Sequence, residues 1–241
     1  YFLIEIPRAN VAKEGEEQND SEMPKMIAFG DSVTQHAFDP TRHGWLAQMQ
    51  HLYRRRLDIV PRGFSGYNSR WGAMMMDRLF KGNGAGTETV LVTVFFGIND
   101  AVLEGEMQFV PINEYKENIR KIVEYMKNTY ANVSIVLINP APVHVEKWTN
   151  HRAAQNRKMD RTHENTKKYA QACLEVGKDL DVPTLDLYKA LGGGDQELAD
   201  KFLHDGIHLS SEGNTILFRE LENLIRKDYP HLCPEKLKIF G

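Results

Sequence analysis

The chain is short of cysteine, of net charge and of long apolar runs, and each shortage removes a class of protein. Among 241 residues only Cys173 and Cys233 occur. With no C-x-x-C spacing they indicate neither a disulfide framework nor a zinc site, and they favour a reducing, cytoplasmic setting. The 30 basic and 33 acidic side chains leave a formal charge of −3, too little to draw the surface to nucleic acid or to an anionic membrane. The run Arg54, Arg55, Arg56 reads as a solvated helix face. The apolar opening at residues 1–6 is too short for a signal-peptide core or a membrane span, so no integral membrane segment is expected.

What remains is ordinary for a soluble globular protein, with 41% hydrophobic and 26% charged residues, and a packed core follows. Residues 1–22 read as a flexible leader, because the polar stretch 10–22 lacks periodicity and large apolar groups; one domain is expected over 23–241. Five short apolar runs, at 26–29, 59–61, 90–96, 133–138 and 182–187, have the β-branched and aromatic content of buried parallel strands. Helical patterns separate them. Tyr115, Ile119, Ile122, Val123 and Met126 share one helix face, a second pattern runs over 159–180, and a third over 210–226. This alternation predicts an α/β fold, a parallel sheet with helices on both faces. The glycine-rich stretches 81–86 and 191–194 read as surface loops without phosphate-loop spacing, and Met74, Met75 and Met76 as core filler.

Ligands of open α/β sheets bind beyond the carboxyl ends of the strands, so the residues following each run carry the functional question. After the first run stands Gly30-Asp31-Ser32, after the second Gly63-Phe64-Ser65-Gly66-Tyr67-Asn68, after the third Gly97-Ile98-Asn99-Asp100; Asp205-Gly206-Ile207-His208 comes late. A serine hydroxyl needs an adjacent base held in one tautomer by a third group, and Asp205 with His208 offers both. Acyl transfer also needs donors for the oxyanion, which Asn99 and Gly66 can supply. Each block also has a plainer reading: Asp31 or Ser32 as a turn cap, Gly66 as a tight loop, Asn99-Asp100 as a helix cap, Asp205-x-x-His208 as a helix start. His204 is a competing base. The segment 101–111, with Val102, Leu103, Met107 and Phe109, reads either as an apolar wall for substrate or as helix packing, and residues 140–148 as a second rim.

Taken together, Phe29-Gly30-Asp31-Ser32 with Thr34, then Gly66, then Gly97-x-Asn99-Asp100, then Asp205-x-x-His208 resemble the ordered blocks of the SGNH/GDSL hydrolases. Residues 62–69, 95–101, 110–115 and 205–210 further resemble the isoamyl acetate-hydrolysing esterase subgroup. The resemblance implies a three-layer, flavodoxin-like sandwich on a five-stranded parallel sheet, no cofactor and no metal. It implies Ser32 as nucleophile, Asp205 and His208 completing a triad, and an oxyanion hole of Ser32, Gly66 and Asn99. Asp31, Asn68, Val102, Met107 and Phe109 are the candidates for substrate contact, the substrate being a small carboxylic ester, acetates first. Two rivals stand beside it. A metal-dependent phosphoesterase uses similar Gly-Asp and Asn-Asp turns, although no early Asp-x-His or paired His motif is present; a non-catalytic binding module keeps the fold without turnover.

Overall fold

A computed structural model describes residues 23–81 and 89–240. The leader and most of the 81–86 stretch lie outside the described residues. In chain order the strands are β1 (Lys25–Gly30), β2 (Asp58–Gly63), β3 (Thr89–Phe95), β4 (Ser134–Ile138) and β5 (Thr184–Leu185). The helices are α1 (Ser32–Gln35), α2 (Trp45–Leu52), α3 (Ser69–Phe80), α4 (Ile112–Thr129), α5 (Val145–Ala154), α6 (His163–Asp179), α7 (Leu187–Ala190), α8 (Gln196–Phe202) and α9 (Ser211–Asp228). The five strands form one sheet in the order β2-β1-β3-β4-β5, every pair parallel. Among the described residues no helix is long and apolar enough to cross a membrane.

The period-two alternation of β1 divides the core. Met26 and Ala28 face one layer with Trp45, Leu46 and Met49 of α2 and Leu217, Leu221 and Ile225 of α9. Ile27 and Phe29 face the other, with Met76 and Phe80 of α3, Ile119 and Ile122 of α4 and Val176 of α6. Burial of apolar side chains on both sheet faces is what right-handed parallel crossovers require. The helix stripes are seated as their spacing predicts: Tyr115, Ile119, Ile122, Val123 and Met126 are all buried, as are Tyr169, Cys173 and Val176.

Register positions the functional edge. Gly30 at the end of β1 pairs with Gly63 of β2 on one side and Phe95 of β3 on the other. The chain leaves β1 for β2, then returns across β1 to β3, so the loops after β1 and β3 diverge and leave a crevice at the carboxyl ends. Close approach here demands glycine: a Cβ on Gly63 would stand 2.0 Å from the backbone nitrogen of Gln35.

Four expectations change. The Arg54–Arg56 run follows the end of α2 in a turn, with Arg55 at φ 62°, so it is not helical; Arg54 and Arg55 are exposed and Arg56 is half-buried. Only Met76 of the three methionines is buried; Met74 is 76% exposed on the outer face of α3. The pattern at 159–180 begins as helix only at His163, where the Thr162 hydroxyl accepts the Asn165 N–H and caps it. The last strand shrinks to two residues, because Pro183 cannot donate to a ladder and Asp186 already caps α7.

Candidate active site

Ser32 opens α1 directly after β1, and Asp31 makes that turn by accepting the Val33 N–H on its side chain at 2.9 Å. The Ser32 Oγ lies 2.8 Å from Nε2 of His208, and Nδ1 of the same ring lies 2.6 Å from Oδ2 of Asp205. These three side chains come from opposite ends of the sequence, 176 residues apart. The Asp205 turn is built locally, its Oδ1 accepting the backbone N–H groups of Ile207 and His208 at 3.1 and 2.9 Å. Burial works to raise the Asp205 carboxyl, but the hydrogen bond and charge of His208 and those two N–H groups outweigh it and hold the group well below the usual carboxylate range.

A carboxylate only accepts, so the ring hydrogen of neutral His208 belongs on Nδ1 and the Nε2 lone pair faces Ser32. The competing base is placed differently. His204 stacks on His208 with centroids 5.9 Å apart, and its Nε2 stands 4.0 Å from Asp205. His36 approaches the other side of His208 edge-on at 5.8 Å. Burial lowers both flanking imidazoles, with the charges of His208 and Arg42 adding to it. His204, Asp205 and His208 also bring three ligand-type atoms within 4.8 Å of one another, but two of the three are already engaged in the serine relay.

Gly66 and Asn99 lie in the connections that follow β2 and β3. Gly66 has φ +80°, a conformation that glycine adopts without penalty. The Asn99 Nδ2 donates to the Tyr67 carbonyl at 2.8 Å, and its Oδ1 accepts from Arg161 at 2.7 Å. A primary amide carries two N–H groups, so one Asn99 hydrogen has no acceptor among the described residues.

The residues expected at the substrate differ widely in exposure. Asp31 and Asn68 are fully buried and serve as helix caps, Asn68 accepting the Trp71 N–H and donating to the Gln108 carbonyl. Val102 is fully buried and bridges to Arg161, whereas Met107 is 82% exposed. Of the five, Phe109 alone is half-buried. The 140–148 segment is also mostly internal, with Val143, His144 and Trp148 buried. Within 101–111, Ala101, Val102 and Val110 are buried, residues 103–107 are exposed and Gln108 and Phe109 are half-buried.

Arg161 carries no sequence signal, whereas Asp100 closes the Gly97-Ile98-Asn99-Asp100 block. Arg161 is buried at 3% exposure beside Asp160, in the loop before α6. Asp100 is fully buried and accepts the Ser69 N–H at 2.9 Å and the Ser69 hydroxyl. Burial pushes the carboxyls of Asp31 and Asp100 up to about 7.

A family model, the GDSL-like Lipase/Acylhydrolase family, matches residues 28–216. The chain is 36% identical over 218 residues to an isoamyl acetate-hydrolyzing esterase 1 homolog of Bos taurus, covering 88% of this chain and 86% of that one. It is 32% identical over 222 residues to the isoamyl acetate-hydrolyzing esterase of Saccharomyces cerevisiae, covering 89% and 91%. Among solved structures, the lipase/acylhydrolase of Enterococcus faecalis superposes with a TM-score of 0.62 at 22% identity, over 91% of this chain and all of that one. That likeness concerns the fold.

Proposed function

The chain belongs to the GDSL-like lipase/acylhydrolase family and is a carboxylic ester hydrolase, and from that premise we propose that it hydrolyses small, uncharged, short-chain esters, acetates first, through an acyl-enzyme on Ser32. The observation that carries the reading is the unbroken relay from Ser32 Oγ to His208 at 2.8 Å and from His208 to Asp205 at 2.6 Å.

His208 removes the Ser32 proton as Oγ attacks the ester carbonyl carbon. The carbonyl oxygen becomes an oxyanion, accepting from the Ser32 and Gly66 backbone N–H groups and from the uncommitted Asn99 N–H. Protonated His208 then gives its hydrogen to the alcohol oxygen, and the alcohol leaves. Water, deprotonated by the same ring, releases the acid and restores Ser32. The acetate preference takes its support from the names of the relatives in cattle and yeast. A reducing, cytoplasmic setting suits Cys173 and Cys233, both buried free thiols.

The test is hydrolysis of p-nitrophenyl esters from acetate to palmitate, in chelator, by wild type and Ser32→Ala. Activity confined to short chains and lost in Ser32→Ala is the expected result. Turnover retained by Ser32→Ala would remove the serine mechanism, and loss of wild-type activity in chelator would favour the metal-dependent alternative.

A further inference from the structure

We infer that Arg161, together with Gln108, is a positioning residue that sets the oxyanion hole: it fixes which way the Asn99 amide faces and ties the Gly66 loop to the same support. The inference rests on the reading of Asn99 and Gly66 as oxyanion donors.

A guanidinium at 3% exposure is costly to bury, and its hydrogen bonds account for where it lies. Nη1 takes both oxygens of Asp160 at 2.9 and 3.0 Å, Nε donates to the Ile98 carbonyl at 3.1 Å, and the cation rests over Trp148 with 4.9 Å to the ring centroid. Neutralising Asp160 does not by itself demand this arginine, since Arg152 reaches that carboxylate at 3.2 Å and Trp148 Nε1 donates to it at 2.7 Å. The remaining nitrogen, Nη2, is aimed away from Asp160 at Asn99 Oδ1, 2.7 Å away, with Gln108 Oε1 at 3.5 Å.

Arginine can only donate and the Tyr67 carbonyl can only accept. Between them they permit one orientation of the Asn99 amide, oxygen to Arg161 and nitrogen to Tyr67. A flipped amide would present a lone pair to the oxyanion and repel it. A charged donor on Oδ1 also polarises the amide and strengthens its remaining N–H. Gln108 extends the support to the second donor: its Nε2 donates to the Gly66 carbonyl at 2.6 Å, while its own carbonyl accepts from Asn68 Nδ2 at 2.9 Å. Residues 66–68 are thus stitched to 99 and 108 of the β3–α4 connection, which Arg161 braces from the loop before α6.

The experiment compares wild type, Arg161→Met, Arg161→Lys, Gln108→Leu and Ser32→Ala on p-nitrophenyl acetate, with rates taken per active site titrated by an organophosphonate for the four forms that keep Ser32, and per mole of folded protein for Ser32→Ala. Both tetrahedral intermediates use the same donors, so acylation and deacylation slow together. Arg161→Met is expected to lose about 100-fold in kcat, the scale of a lost oxyanion donor, with KM held within about twofold. Arg161→Lys, which still offers a charged N–H to Oδ1, recovers a substantial part of that loss. Gln108→Leu falls about 10-fold through misplacement of Gly66. A merely structural role would lower the number of titrated sites and leave the rate per site intact. Should Arg161→Met not fold, the half-buried Gln108→Leu variant, with its buried ion pair intact, decides the matter. Wild-type kcat per site in folded Arg161→Met or in Gln108→Leu overturns the inference while Ser32→Ala, inactive, leaves the esterase reading standing. Turnover by Ser32→Ala overturns that reading and the inference with it.

Discussion

Asp205 grips His208 at two points, one carboxylate oxygen accepting its backbone N–H at 2.9 Å and the other meeting its ring Nδ1 at 2.6 Å. The double hold sets both the place of the residue and the tautomer of its ring. In Asp205→Asn the amide oxygen can retain the backbone bond, but an NH₂ facing Nδ1 drives the ring hydrogen to Nε2, where it opposes the Ser32 hydroxyl. The expected outcome is a folded enzyme with kcat on a short-chain ester reduced about 10⁴-fold. A loss of less than tenfold would contradict this account of the relay.

Two glycines three residues apart should respond differently to alanine. Around Gly66 a Cβ would meet only Gln108 Nε2 at 3.6 Å, so the cost of Gly66→Ala is the left-handed backbone, about 1–2 kcal/mol. At Gly63 the same Cβ strikes the backbone of Thr34 and Gln35, at the end of α1, and neither can give way. Urea denaturation should show Gly63→Ala several times more damaging than Gly66→Ala, with Gly66→Ala losing turnover out of proportion to stability. Equal destabilisation of the two would be the contrary result.

The buried carboxyls give a signed dependence of stability on pH. Burial raises Asp31 from its ordinary 3.8 to about 7, and Asp100 likewise. Between these values the native state holds protons that the unfolded chain has lost, so stability falls as pH rises across that window and levels off above it. Asp205, held below the ordinary value, acts with the opposite sign: its contribution is present above 3.8 and is lost as pH falls below it. Asp31→Asn cannot ionise, and its amide oxygen can still accept the Val33 N–H. Urea midpoints measured from pH 5 to 8 should therefore improve for Asp31→Asn relative to wild type up to about pH 7 and run level above it. Parallel curves would show that Asp31 does not titrate in this window.

The parts of the fold visible in the sequence were those written in local pattern. Strand runs alternate or repeat β-branched residues, and the α4 stripe of Tyr115, Ile119, Ile122 and Met126 is a spacing that needs no tertiary information. Ser32, Gly66, Asn99, Asp205 and His208 could be singled out because each sits in a short motif, the first three just past a strand. Arg161 and Gln108 could not. Their bonds run to Asn99 and Gly66, 62 and 42 residues away, and no periodicity records such a pairing. Extending the α6 pattern back to Met159 hid Arg161 inside a supposed helix, whereas the Thr162 cap leaves it in the preceding loop. Composition likewise misled on Met74 and Met107, apolar side chains that the backbone turns outward. Asp31 and Asn68, also expected at the substrate, are taken up by capping, as short polar side chains at helix starts commonly are.

The separation of 176 residues between Ser32 and His208 has a temporal meaning during synthesis. At roughly 5–20 residues per second, a ribosome delivers the serine about 10–35 s before the histidine. During that interval β1, β2 and β3 can emerge, together with Gly66 and Asn99, but the Asp205 turn and α9 behind it are still being decoded. A nascent chain therefore carries the Ser32 hydroxyl before its His208 partner, and on the proposed serine mechanism it stays chemically silent toward esters until the Asp205 turn has emerged and folded.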